Sequence, residues 1–129
     1  MKRIAVVGLS PKKDRPSHRV AEYLVSKDYD IIPVNPNCKE VFGRKCYKSL
    51  LDVPGDIDVV DIFRRREDVM PIVEAAIKIQ AKAIWMQEGV VNEEAAKKAR
   101  QTGINVVMDR CMLKEHVKTT QISKRKSQN

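Results

Sequence analysis

Five short apolar runs alternate along this chain with segments of helical periodicity, and that alternation constrains the fold more than any other feature. The runs are centred on Arg3–Val7, Asp30–Val34, Val59–Phe63, Lys82–Met86 and Asn105–Met108. Between them, Ser17–Ser26 carries Val20, Tyr23 and Leu24 on one stripe, and Val69, Ile72, Val73, Ala76 and Ile77 recur at helical spacing in a helix expected to reach about Gln80. A third helix is expected from the Asn92 cap, through Glu93 and Glu94, to Gly103. Strands that alternate with helices and read as unbroken apolar runs belong to a parallel sheet covered on both faces. The expectation is therefore α/β: a Rossmann-like open parallel sheet of about five strands. A short amphipathic piece, Ser49–Val53, is stopped by Pro54-Gly55, and Asp109–His116 reads as a turn and a short helix.

A chain of 129 residues fits one domain, placed at residues 1–117, and residues 118–129 read as a basic, disordered tail ending in Lys124-Arg125-Lys126. No apolar run approaches the ~20 residues that cross a bilayer, and Met1-Lys2-Arg3 leads into a strand without a signal-peptide pattern. A cytoplasmic protein with no membrane contact is expected. Cys38, Cys46 and Cys111 are odd in number and widely spaced, which suits a reducing compartment, and with His18 and His116 they make no zinc-like spacing. No metal site is expected.

The formal charge of +8 is concentrated in the tail and in Lys12, Lys13 and Arg15. Without a helix-turn-helix or an aromatic-basic RNA pattern, nucleic acid is not the partner expected, whereas a positive loop above a sheet edge attracts a small polyanion. That loop follows Gly8, where the first strand breaks into Gly8-Leu9-Ser10, and the next helix aims its dipole there. It is not a dinucleotide fingerprint: it holds one glycine where three are needed, and strand two ends in Asn35-Pro36 rather than in a ribose-binding acid. A Walker pattern is absent as well.

In an open parallel sheet, ligands sit beyond the carboxyl ends of the strands. Gly8–Pro16, Asn35–Lys39, Phe63–Arg66 and Gln87–Val91 should meet there, with Asp109–Cys111 as a neighbour. Together these loops resemble the CoA-binding domain family, the small stand-alone relatives of the CoA-binding half of succinyl-CoA synthetase and of ADP-forming acyl-CoA synthetases. The resemblance rests on Val7-Gly8-Leu9-Ser10 with Ser17-His18-Arg19-Val20, on Ile32-Pro33-Val34-Asn35-Pro36, on Val60-Asp61-Ile62-Phe63-Arg64, on Ile84-Trp85-Met86-Gln87-Glu88-Gly89-Val90, and on Val107-Met108-Asp109-Arg110-Cys111.

That resemblance implies coenzyme A lying across the strand ends. Gly8, Leu9 and Ser10 would carry backbone contacts to phosphate, with Ser17 at the start of the helix. Asn35 and Pro36 would shape the adenosine side, and Lys39 or Arg15 would pair with the 3′-phosphate. Phe63 and Arg64 would flank the nucleotide, while Gln87, Glu88 and Gly89 would line the pantetheine path. It implies a binder of CoA or acyl-CoA rather than an enzyme. The alternatives are a CoA-binding subunit of an acyl-CoA synthetase with a separate catalytic partner, and a nucleotide-responsive regulator. A homodimer or a synthetase subunit is the protein partner to expect.

Several residues have plainer readings. Arg65 and Arg66 read as solvated, Trp85 as core, and His116 as a polar surface or cap group. Glu88 has no acid or base beside it in sequence, so no catalytic residue is assigned. Cys111, next to Arg110, raises the idea of a mixed disulfide with the CoA thiol. Gly8→Val is expected to block phosphate approach while leaving the fold largely intact.

Overall fold

The computed structural model describes the backbone over residues 2–127 and side chains as far as residue 119. Its elements run β1 (Arg3–Val7), α1 (Pro16–Ser26), β2 (Asp30–Val34), β3 (Glu40–Val41), β4 (Arg44–Lys45), β5 (Val59–Ile62), α2 (Val69–Lys78), β6 (Ala83–Met86), α3 (Glu93–Gln101), β7 (Asn105–Val107) and α4 (Met112–Ser127). Five strands form one parallel sheet in the order β2-β1-β5-β6-β7. The expected α/β, Rossmann-like sheet is what forms.

Alternation along each strand splits the core by face. Ala5, Val7, Val60, Ile62, Ile84 and Met86 point to one side, where Val69, Val73 and Ala76 of α2 and Ala95, Ala96 and Ala99 of α3 cover them. Ile4, Val6 and Ile31 point to the other, under Val20, Ala21 and Leu24 of α1 and Met112 of α4. Helices therefore cover both faces. The alanine stripe of α3 lets that helix sit close to the sheet. Its start is fixed by Asn92, whose Oδ1 accepts from the Ala95 N–H at 3.0 Å.

β2 is an edge strand, which is where Pro33 is tolerated. Beyond it, Tyr47 donates to the Pro33 carbonyl at 2.9 Å, and its own carbonyl accepts from Asn35 at 2.8 Å, so the outer edge is covered near its carboxyl end. β3 and β4 form a small hairpin turned by Phe42 and Gly43, both at positive φ (55° and 69°).

The differences from the sequence expectation lie at the ends of elements. α2 stops at Lys78 because Gln80 turns into positive φ (58°). α4 runs to Ser127, where a short helix to about His116 and a disordered end from Lys118 were expected. Residues 112–127 contain neither glycine nor proline, so nothing breaks the helix, and polarity alone was a poor guide. The side chains of the Lys124-Arg125-Lys126 run lie outside the described residues. Among the described residues, no helix is long and apolar enough to cross a membrane.

Candidate functional site

The chain leaves β1 toward β2 on one side and later returns to β5 on the other, so the strand order reverses between the carboxyl ends of β1 and β5. The backbone segments after these strands touch. Phe63 donates to the Val7 carbonyl at 2.9 Å and Gly8 to Val34 at 2.8 Å. Gly8 sits at φ 91°, and a Cβ there would lie 2.2 Å from the Phe63 carbonyl oxygen. Gly8→Val therefore strikes the backbone of the neighbouring loop, and the expectation that the fold would tolerate it is corrected.

Beyond Gly8 the loop is held from within. The Ser10 N–H donates to Ser17 Oγ at 3.0 Å, and Lys12 N–H donates to Ser10 Oγ at 3.1 Å. His18 Nδ1 meets the Ser10 carbonyl at 3.0 Å, and Asn35 Nδ2 donates to the Leu9 carbonyl at 2.9 Å. Gly8 and Ser10 thus use their backbone N–H groups inside the protein. The hydroxyls of Ser10 and Ser17 accept in these bonds and retain their own protons for donation.

Above this loop opens a cleft of about 900 Å³, walled by Gly8, Ser10, Lys12, Arg15, Pro16, Ser17, Arg19 and Val20, by Phe63–Arg65, by Gln87, Glu88 and Val90, and by Cys111, Leu113 and Lys114. Lys12, Arg15, Arg19, Arg64, Arg65 and Lys114 border it, against the single acid Glu88. That acid is committed to Lys114 at 2.9 Å, a contact that holds the lysine above its ordinary pKa. Arg65 pairs with Asp68 at 3.6 Å. Arg64 lies across Gly8, its Nε 3.3 Å from where a Cβ would stand.

Under the cleft lies Asp61, fully buried in β5. Its Oδ1 accepts from Gln87 Nε2 at 2.6 Å, while Oδ2 has no hydrogen-bond partner among the described residues. Burial pushes the carboxyl up to about 7, partly offset by the Gln87 bond. Gln87 Oε1 in turn accepts from the Met112 N–H at 3.4 Å, linking the floor to the start of α4.

Of the residues named from sequence, Gly8, Ser10, Arg15, Ser17, Phe63, Arg64, Gln87 and Glu88 converge on this cleft. Leu9 does not; its side chain is buried in the core beside α1. Asn35 works through its amide on Leu9, and Gly89, at φ 87°, donates its N–H to Asp109 Oδ1 at 2.7 Å. Pro36 lines a second cavity of about 280 Å³ on the other side of Arg64, with Val7, Lys48, Ser49 and Ile72. Lys39 is exposed at the hairpin and borders neither cavity. Trp85 is half-buried, and its Nε1 donates to the Arg110 carbonyl at 2.7 Å.

Sequence reasoning overlooked Arg19, Lys48, Lys114 and the role of Asp61. An acid flanked by Val60 and Ile62 was the available signal for Asp61. The others are surface-type residues that only the fold brings to the cleft or its neighbour. Among the described residues, no group of His, Cys, Asp or Glu is arranged to hold a metal ion.

A family model described as a CoA binding domain matches residues 2–117. The chain belongs to the CoA binding domain family. Members and relatives include the uncharacterized protein YneT of Bacillus subtilis, 43% identical over 92% of this chain and 87% of its own length. The fold of this family member matches a hypothetical protein from Pyrococcus horikoshii with a TM-score of 0.88 and 49% identity, covering 91% of this chain and 82% of that one. The ADP-forming 4-hydroxybutyrate–CoA ligase of Nitrosopumilus maritimus is 32% identical over 78% of this chain, which spans 15% of the ligase. The CoA binding domain covers residues 2–117 of this sequence, which is related to a small part of a much larger ligase.

Proposed function

We propose that the chain binds coenzyme A or an acyl-CoA across the carboxyl ends of its strands, as a carrier or sensor without chemistry of its own. The observation that carries this is the cleft at the reversal of strand order, bordered by six cationic side chains. Its volume of about 900 Å³ is of the size that takes a large cofactor. In this reading the diphosphate lies over the Ser10–Ser17 loop, held by Lys12, Arg15 and the serine hydroxyls with the dipole of α1 behind them. Arg64 stands between the phosphates and the smaller cavity, where Pro36 and Ile72 would face adenine. The 3′-phosphate then falls to Arg15 or Lys48, since Lys39 stands apart. The pantetheine arm follows Gln87 and Glu88 toward Leu113. A binder rather than a catalyst fits the commitment of Glu88 to Lys114.

Calorimetric titration of CoA beside dephospho-CoA, ADP and NAD tests the reading. CoA should bind most tightly, and loss of the 3′-phosphate should weaken it about tenfold, the worth of one charge-assisted contact. Preference for NAD, or no CoA binding, would refute it. The relation to ADP-forming ligases favours a second reading, a CoA-binding subunit of a synthetase acting with a catalytic partner. Co-purification of a separate protein carrying ligase domains would promote it.

A further inference from the structure

Cys38 and Cys46 flank the β3–β4 hairpin, and both side chains pack into the core cluster beneath α1. The backbone brings them together: Cys46 N–H donates to the Lys39 carbonyl at 2.9 Å, and Cys38 N–H to the Asn35 carbonyl at 3.4 Å. Cys46 thus sits directly across the hairpin base from the residue that follows Cys38, and both side chains join one cluster. Cys38 is half-buried and also donates to the Glu40 carbonyl at 3.4 Å, whereas Cys46 is buried.

From this juxtaposition we propose that Cys38 and Cys46 form a thiol–disulfide site, oxidised by low-molecular-weight disulfides, that locks the hairpin in place. The Cys38 thiolate attacks one sulfur of a disulfide RSSR, expelling one RS⁻ and leaving Cys38 joined to SR. Cys46 then attacks the Cys38 sulfur, forming the protein disulfide and expelling the second RS⁻. The protons of the two cysteines leave with the two thiols released, so two protein thiols are oxidised as one RSSR is reduced to two RSH.

Exposure sets the order of events. Burial, with Cys38 and Glu40 nearby, pushes the Cys46 thiol up to about 12, so Cys38 is the attacking group. Cys46 attacks second, as an internal thiol that the hairpin holds beside the adduct.

The link would matter beyond the hairpin. Phe42 at its tip packs on the His18 ring with centroids 4.6 Å apart, and His18 contacts the Ser10 carbonyl in the loop after β1. A covalent tie at the base of the hairpin therefore braces that loop. The inference does not depend on which ligand the cleft takes.

The test uses the full chain carrying Cys111→Ser, reduced and then exposed under native conditions to oxidised glutathione. Intact mass should fall by two hydrogens, peptide mapping should recover a Cys38–Cys46 cross-link, and dithiothreitol should reverse both. Adding Cys46→Ser should replace the cross-link with one stable glutathionyl group on Cys38. Should that buried substitution unfold the chain, the half-buried Cys38→Ser serves instead, and should give neither cross-link nor adduct on Cys46. A chain with both cysteines intact that stays reduced, or keeps glutathione on Cys38, would overturn the proposal.

Discussion

Gly8 is held by its neighbour, and side chains added there have nowhere to go. The Phe63 carbonyl lies 2.2 Å from the position of a Cβ, and φ is 91°. Even Gly8→Ala should cost about 3 kcal/mol, since it combines a steric clash with an unfavourable backbone. Chemical denaturation would register this, and an unchanged midpoint would remove the assigned role. Asp61 behaves differently. Its carboxyl is at about 7 in the folded chain against 3.8 in the open, so between those values the native state holds more protons than the unfolded one. Stability should fall as pH rises through that window and then level off, by up to about 4 kcal/mol from this group alone. Asp58 has the opposite sign, because the Arg3 backbone N–H and then Lys82 hold it below its usual value; its contribution is present above about 3.8 and is lost as pH falls further. Unfolding midpoints of Asp61→Asn across pH 4 to 8 should lack the decline seen in the parent chain. If both fall alike, another group is responsible.

Elements differed in how far the sequence announced them. All five sheet strands were visible because a strand buried on both faces must be apolar throughout, as Val59–Ile62 and Ala83–Met86 are apart from Asp61. The start of α3 was visible because Asn92 caps it and the two acids behind suit its dipole. The β3–β4 hairpin was not, because two-residue strands carry no period and its turn depends on Phe42 accepting positive φ. The full reach of α4 was missed for the converse reason, a good helix-forming stretch hidden by its charge. The site followed the same division. That Arg15, Arg64, Gln87 and Glu88 would meet at one cleft was legible because the ends of parallel strands are known positions, whereas the places of Lys48 and Arg19 needed the fold. The close approach of the Phe63 carbonyl to Gly8 was not legible, since no reading of one loop reveals the backbone of another.

For the molecule as a whole, charge is the property that reaches beyond any one contact. The chain carries +8, and the cleft gathers several of its cations around one committed acid. A polyanionic ligand should therefore lose affinity with salt, about tenfold in Kd between low and high ionic strength, as screening shortens the field. Calorimetry of CoA over a salt series would measure the slope, and a flat response would take the cations out of recognition. The strand order carries a different consequence. Gly8, Arg64, Gln87 and Cys111 arrive at one cleft from four separate crossings of the sheet. A chain lengthening from its first residue lacks part of the cleft wall until the last crossing closes, so a ligand that needs all four walls would report completed folding and leave when the sheet opens.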